Sequence, residues 1–581
     1  MVSDYYWIVV AGWIACFVMA FGIGANDVAN QFASSIGSKA INLKMAIFLS
    51  AILEFVGAAF LGGQVADTVR KKIVDFDVFI DNPELLMFGM LCALIGAGMW
   101  LMVASYLGWP VSTTHSIIGS IVGFSMATGD INAVHWDQVG MIVASWFISP
   151  ILSGIAAAIL FVIIRELVLK ARDSVNRGFW MLPVFLFLVF ATFFLYLVFK
   201  NNGYLAGVEC MMYDKDLGYN VAKEPCIVKK WATSNPGAAV GITLAMAVGA
   251  AAICTAPIWW WAKTALAQYD ADVLKSQKDA ELTKVKDVEE GVSTSAVNGS
   301  SEKTTPSPGT ITPPQHYSAH NAIQPIGVQK DGQLVDSEPT GVPGDGQLQK
   351  KKTRAEEMWE SMPFNQDLHD DALQESKAAA RIHDSTESFD GRTERFFAIC
   401  QVLSACFDCV GHGSNDTANA VGPFAAILGI YSAGAAVAKV ETPLYVLAFG
   451  GAGIAVGLAL YGYRVIKAIG VKMVKITPSR GFCIELGAAW IIIIGSNLGI
   501  PLSTTHCQVG ATVGVGLTET DSESGHMCTW KRAGVNWKLL IGVFGAWVLT
   551  LIFAGAVTAL IFSFGAYAPN IIGGRVPVPV Q

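Results

Sequence analysis

The chain has 581 residues, 53% of them hydrophobic and only 15% charged, against about 25% charged in an ordinary soluble domain. Apolar runs of about 20 residues, long enough to cross a ~30 Å hydrocarbon core, recur toward both ends, which excludes a soluble enzyme, a nucleic-acid-binding module and a secreted disulfide scaffold. The net charge of −7 is local: 12 basic and 21 acidic residues lie between Ala271 and Asp390, so the rest is close to neutral and the acidity says nothing about a ligand.

In chain order, spans are predicted at roughly 5–24, 43–63, 85–107, 138–163, 180–199 and 235–262, with a shorter segment after Pro110. A polar stretch, 263–392, follows. Rich in Ser, Thr, Pro, Gly and charge, it is expected to be a largely disordered cytoplasmic loop, with helix-compatible ends near Thr264–Leu282 and Arg354–Ile382. A second block has spans at roughly 396–412, 442–462, 481–499 and 539–563, with another short segment after Pro501. The chain thus divides into a membrane block 1–262, the loop 263–392 and a membrane block 393–581. No basic region precedes the first apolar run, so no cleaved signal peptide is expected. No GxxxxGK[ST] motif supports direct ATP-driven pumping. Most cysteines sit in apolar runs as small buried side chains, whereas Cys210 and Cys226 share one polar loop and form a disulfide if that loop is extracellular.

The two blocks are related. Gly24-Ala25-Asn26-Asp27-Val28-Ala29-Asn30 matches Gly413-Ser414-Asn415-Asp416-Thr417-Ala418-Asn419, and Pro110-Val111-Ser112-Thr113-Thr114-His115 matches Pro501-Leu502-Ser503-Thr504-Thr505-His506. Gly119 and Gly123 recur as Gly510 and Gly514, and the motif separations are nearly equal in the two copies. The chain therefore contains a duplicated unit. Arg464, Lys467, Lys472, Lys475 and Arg480 crowd one short loop, and Arg165, Lys170, Arg172 and Arg177 another, so both are expected to be cytoplasmic. Counting the two short segments as crossings gives an all-α protein of about 12 transmembrane helices in two inverted repeats. The long polar loop is then inside, and both termini, the Cys210/Cys226 loop and Arg70-Lys71-Lys72 are outside.

Each Asn-Asp pair ends an apolar run and is flanked by glycine, which permits an unwound or broken helix. Unwound backbone at membrane depth is tolerated only where it lines a cavity or is buried in protein, and an ionised Asp there costs roughly 2.5–3.5 kcal/mol on insertion scales. Helix capping by Asp27 and Asp416 is the simpler role, but it does not require the whole Asn-Asp-x-x-Asn cluster twice. In Pro-x-Ser-Thr-Thr-His the hydroxyls fall near a helix N-terminus, an anion site supplied with neutral donors. Ser112 and Ser503 could equally be N-caps. His115 and His506 read as hydrogen-bonded structural residues that could orient the hydroxyls.

Short polar segments at corresponding places in two halves point to a transporter's central site. Neither motif contains Lys or Arg, so an anion beside Asp27 and Asp416 must be balanced by dipoles and small cations, hence cation-coupled anion uptake. Phosphate at neutral pH carries a P–OH that an ionised Asp can accept from, whereas sulfate carries none, which favours phosphate. Glu54 and Glu485 lie inside spans and are not repeat-equivalent; Leu94 stands where Glu485 would recur. Each is a coupling-ion ligand or a buried structural acid, and Asp408 is a weaker candidate.

At these residues the chain resembles the inorganic phosphate transporter family, the sodium- or proton-coupled phosphate symporters that include the eukaryotic type III sodium/phosphate cotransporters. The resemblance rests on both motif pairs, with Glu54 and Gly481–Glu485 adding to it. It implies phosphate bound between the repeats by Asp27, Asn30, Ser112, Thr113 and Thr114 with Asp416, Asn419, Ser503, Thr504 and Thr505. It also implies cations near Asn26, Asp27, Asn415 and Asp416. The expected protein is no enzyme and has no cofactor beyond Na⁺ or H⁺ as coupling ion. It is multi-pass, in the plasma membrane, with a homodimer and cytoplasmic partners of the loop as further expectations. A small-ion channel, and a phosphate sensor or receptor with little transport, are the alternatives.

Overall fold

The computed structural model describes residues 2–61, 74–200, 204–214, 219–295, 367–436, 442–497, 502–519 and 534–567. In the first block the principal helices are α1 (Tyr6–Ile23), α2 (Leu43–Leu61), α3 (Pro83–Leu107), α4 (Thr113–Ala127), α5 (Trp136–Ile164), α6 (Ser174–Lys200) and α7 (Pro236–Ser295). Two short helices, α8 (Leu368–Glu375) and α9 (Lys377–Ser385), precede the second block. It holds α10 (Gly391–Ala433), α11 (Leu444–Tyr461), α12 (Pro478–Asn497), α13 (Thr504–Leu517) and α14 (Trp537–Tyr567). Among the described residues eight helices are long and apolar enough to cross a membrane. A ninth is added if Tyr463–Met473 and Pro478–Ile494, bent 108° apart, form one span. Apolar side chains such as Trp180 and Ile253, 83% and 76% exposed, face outward, the surface a bilayer rather than water would cover.

Between α6 and α7 the backbone forms an antiparallel hairpin, β1 (Tyr204–Asp214) and β2 (Tyr219–Ile227), which corrects the all-α expectation. Its register sets Cys210 opposite Glu224, two positions from Cys226. The side chains of these cysteines lie outside the described residues.

Helix packing repeats between the blocks. A Cβ on Gly24 would overlap the Ile454 carbonyl oxygen, and one on Gly413 the Glu54 carbonyl oxygen. Gly57 meets Val410 as Gly457 meets Phe21. Likewise α4 lies on α14 through Gly123 and Gly555, as α13 lies on α5 through Gly514 and Gly154. Each copy therefore packs its long helices on the other copy's motif helix, at backbone distances only glycine allows. This correspondence makes Ile454 the counterpart of Glu54.

The polar stretch is helical at its described ends, as the composition of those ends suggests. α7 continues to Ser295, and α8 and α9 dock on the basic end of the second block; residues 296–366 lie outside the described residues. Asp367 caps α8 by accepting from the backbone N–H groups of His369 and Asp370. Lys39 pairs with Asp367 and Asp370 at 3.0 and 2.9 Å. Lys467 reaches Glu375 at 2.8 Å and Asp371 at 3.4 Å, and Lys472 reaches Glu375 at 2.6 Å. Acidic charge in a short helix, useless for a core, is what lets this segment bind lysines of both copies.

His383 of α9 bonds the Val471 carbonyl oxygen through Nε2 at 3.0 Å. Burial pushes its pKa down to about 4, with nearby positive charge adding to the effect. An undocked α9 would keep a histidine near its ordinary value of about 6.5, so the undocked form binds more protons. Docking is therefore strongest above that value and is lost progressively as pH falls toward about 4. Limited proteolysis of the 367–390 segment should accelerate from about pH 7 to about pH 5, and H383Q should flatten the dependence; a wild-type profile that does not move would rule this out.

Candidate functional site

The two acidic motifs are built differently. Gly24–Val28 is one widened turn at the end of α1, as glycine beside a polar cluster suggested. The second motif is not unwound: α10 runs without interruption from Gly391 through Asp416 to Ala433. There glycine serves close approach to α2 instead of a break. Asp416 in mid-helix cannot be a cap, so its burial needs another reason. The hydroxyl motifs do begin helices. Ser112 caps α4 and Ser503 caps α13, their Oγ atoms accepting from the N–H of His115 and His506 at 3.2 and 3.3 Å. The two serine hydroxyls thus do the capping work, which aims the threonines that follow.

These threonines converge on the aspartates of both copies. Asp27 accepts from Thr113 Oγ1 at 2.7 Å on one oxygen and from Thr505 Oγ1 at 2.7 Å on the other. Asp416 Oδ1 accepts from Asn419 Nδ2 at 2.8 Å and Thr114 Oγ1 at 3.1 Å, and its Oδ2 from Thr504 Oγ1 at 3.3 Å. Each carboxylate therefore accepts hydroxyls from both copies. Asp27, Asp416, Thr113 and Thr505 are all buried, so the charged groups are hydrogen-bonded rather than solvated. As arranged here the hydroxyls fold onto the carboxylates. Admitting a tetrahedral anion requires them to turn away and donate to it instead. A cavity of about 40 Å³, large enough for water or a bare ion, adjoins the cluster; Thr504, His412, Asn415, Asp408 and Glu485 line its polar side.

Other expected residues stand elsewhere. Asn26 does not face the acids with a free amide: it donates to the Trp109 carbonyl oxygen at 2.9 Å and Ser105 Oγ at 3.2 Å, and accepts from Val111 N–H at 2.9 Å. It ties down the backbone that leads into α4. Asn415 donates to Tyr196 Oη at 3.1 Å and the Gly411 carbonyl oxygen at 3.2 Å. The Asn30 side chain lies outside the described residues. Glu485 sits in its own cluster, accepting from Ser34 and Ser35 at 2.7 and 2.9 Å, from Gln401 at 3.3 Å and from Ser404. The motif histidines pack on each other with ring centres 4.9 Å apart, His115 accepting from Trp146 Nε1 at 3.2 Å, which fits a structural role.

One residue escapes the sequence reading. His412 lies a helical turn before Asp416 and is fully buried, with Nδ1 2.9 Å from Glu54 Oε1 and Nε2 3.3 Å from Asp416 Oδ2 and 3.7 Å from Asp27 Oδ2. Its signal was available: a histidine four residues before a buried acid shares that acid's helix face. The comparison of copies hid it, because Ile23 stands at the same place in the first motif. Glu54 is placed by this histidine, and Cys409 Sγ approaches it at 3.3 Å.

With this geometry in place, the model of the phosphate transporter family matches residues 23–558. The chain belongs to the phosphate transporter family. It is a membrane transporter and not an enzyme. A sodium-dependent phosphate transporter of Plasmodium falciparum is 32% identical, and one of Toxoplasma gondii 30% identical, each alignment covering 98% of this chain and 98% of the relative. A solved structure titled the sodium-dependent phosphate transporter superposes with a TM-score of 0.58 at 26% identity, covering 96% of this chain and 98% of that one. Membership in this family covers both motif pairs, so the cluster of Asp27, Asp416 and the four threonines lies within the matched region.

Proposed function

We propose that the chain is a sodium-coupled symporter that binds inorganic phosphate between its two copies and releases it by alternating access. The observation that carries this is the convergence of Thr113, Thr114, Thr504 and Thr505 on Asp27 and Asp416. When phosphate enters, the threonines and Asn419, with Ser112 and Ser503, donate to its oxygens, and an aspartate accepts from its P–OH; Asn30 is assigned to the same set by its motif alone. The N-terminal ends of α4 and α13 add positive dipole. Sodium ions beside Asp27, Asp416 and Asn415, with Glu54 and Glu485 behind, neutralise what would otherwise be anion against carboxylate. Sodium rather than proton coupling is supported by the names of the relatives. Twelve crossings in two inverted repeats are supported by the reciprocal glycine contacts. With the lysine-rich loops inside, both termini lie outside, at the plasma membrane.

Purified protein in liposomes should take up radiolabelled phosphate, with saturation, under an inward sodium gradient and not under a pH gradient alone. Flux that never saturates and ignores the sodium gradient would instead indicate a channel.

A further inference from the structure

We propose that Asp27, His412 and Asp416 form a binding site for a divalent transition-metal ion of the zinc type. One ligand atom from each residue lies within 4.8 Å of the others, and all three side chains are buried. An acidic cluster alone would not suffice. The deciding feature is His412 Nε2, which has no hydrogen-bond partner although it is fully buried and faces both carboxylates.

The histidine's other nitrogen explains the direction of that atom. Glu54 Oε1 lies 2.9 Å from Nδ1; when it holds the proton of that nitrogen, Nε2 is left facing Asp416 and Asp27 at 3.3 and 3.7 Å. Nε2 between two carboxylates calls for positive charge there, supplied by a proton on the imidazole or by a metal ion that displaces it. A carboxylate that fixes the histidine tautomer from behind is the usual support of a metal-binding imidazole. Asp416 and His412 are four residues apart on one helix face, and Asp27 closes the triangle from the other copy.

Ligand chemistry selects the ion. Sodium, magnesium and calcium prefer all-oxygen sites, whereas an imidazole nitrogen with two carboxylates suits zinc or cobalt. Three protein ligands leave a fourth position open. Among the described residues the site occurs once, because Ile23 and Ile454 occupy the positions that correspond to His412 and Glu54. The ion would occupy the carboxylates assigned above to sodium, so it would block transport as a competitor. Binding itself is read without phosphate or sodium, so its failure and failure of the symport reading are separable.

The test is a cobalt titration of the purified full chain in sodium-free, phosphate-free buffer. The expected result is one Co²⁺ per chain with the visible bands of a low-coordinate nitrogen–oxygen site, displaced by Zn²⁺ and weakened by added Na⁺. H412Q should abolish the bands. E54Q, which keeps a hydrogen-bonding group behind the imidazole, should weaken affinity about 10- to 100-fold while eluting as the wild type does. Absence of saturable binding in the wild type would overturn the proposal, as would H412Q binding like the wild type. Should H412Q aggregate, E54Q decides, and unchanged affinity there counts against the site.

Discussion

Asn in place of Asp27 or Asp416 should abolish saturable, sodium-driven phosphate uptake in proteoliposomes. Asp27 accepts two threonine hydroxyls at 2.7 Å, one from each copy, and a hydrogen bond to a charged group contributes about 1.5–3 kcal/mol. Asn turns one accepting oxygen into a donor that faces another donor and removes the charge that holds a cation. Losing one such interaction alone corresponds to a fall of roughly 10- to 150-fold in phosphate or sodium affinity, and loss of the charge acts on both ligands at once. The variants keep the shape of the side chain, so they should remain folded. Both D27N and D416N transporting with unaltered affinity would refute the assignment.

The second large effect concerns stability. Arg480 is fully buried and bidentate on Glu519, Nε to Oε1 at 2.5 Å and Nη2 to Oε2 at 2.7 Å. Its guanidinium also donates to Thr477 Oγ1 at 3.0 Å and the Glu387 carbonyl oxygen at 2.8 Å, and it lies near the rings of Phe161 and Phe389. This one side chain joins the start of α12 to the chain just past α13 and to the segment following α9. R480M leaves the Glu519 carboxylate buried without its partner, a loss of about 3–5 kcal/mol. The double variant R480M/E519L should regain much of it, because two apolar groups leave no orphaned charge. Thermal unfolding in detergent gives the order: wild type and the double variant should both unfold above R480M. A single variant as stable as the wild type would show that the pair contributes little.

Much of this architecture was legible because membrane helices announce themselves by length and hydropathy, and because the duplicated motifs fixed which residues had to meet. Asp27, Thr113, Asp416 and Thr505 do meet. What the chain hid depends on packing. Asn26 resembles a cation ligand until the loop it must hold, 109–111, is seen beside it. Glycine before Asp416 reads as a helix breaker, yet it is there so that the Glu54 backbone can approach. Composition said that 263–392 could not bury enough apolar surface and that its end near Arg354–Ile382 was helix-compatible, but not what would hold that end: Asp367, Asp370, Asp371 and Glu375 pair with lysines that lie far away in sequence. His412 was missed because repeats draw attention to what they share.

That difference between the copies has a thermodynamic consequence. A carrier assembled from interchangeable halves would rest with equal ease toward either side of the membrane, since exchanging the halves turns one orientation into the other. Here an acid–imidazole pair and a serine-lined glutamate occupy one member of each repeat-related pair of places, while Ile23, Ile454 and Leu94 fill the matching ones. In the cycle proposed above, the two orientations therefore cannot be degenerate: before any ion gradient is applied, the protein already has a preferred face.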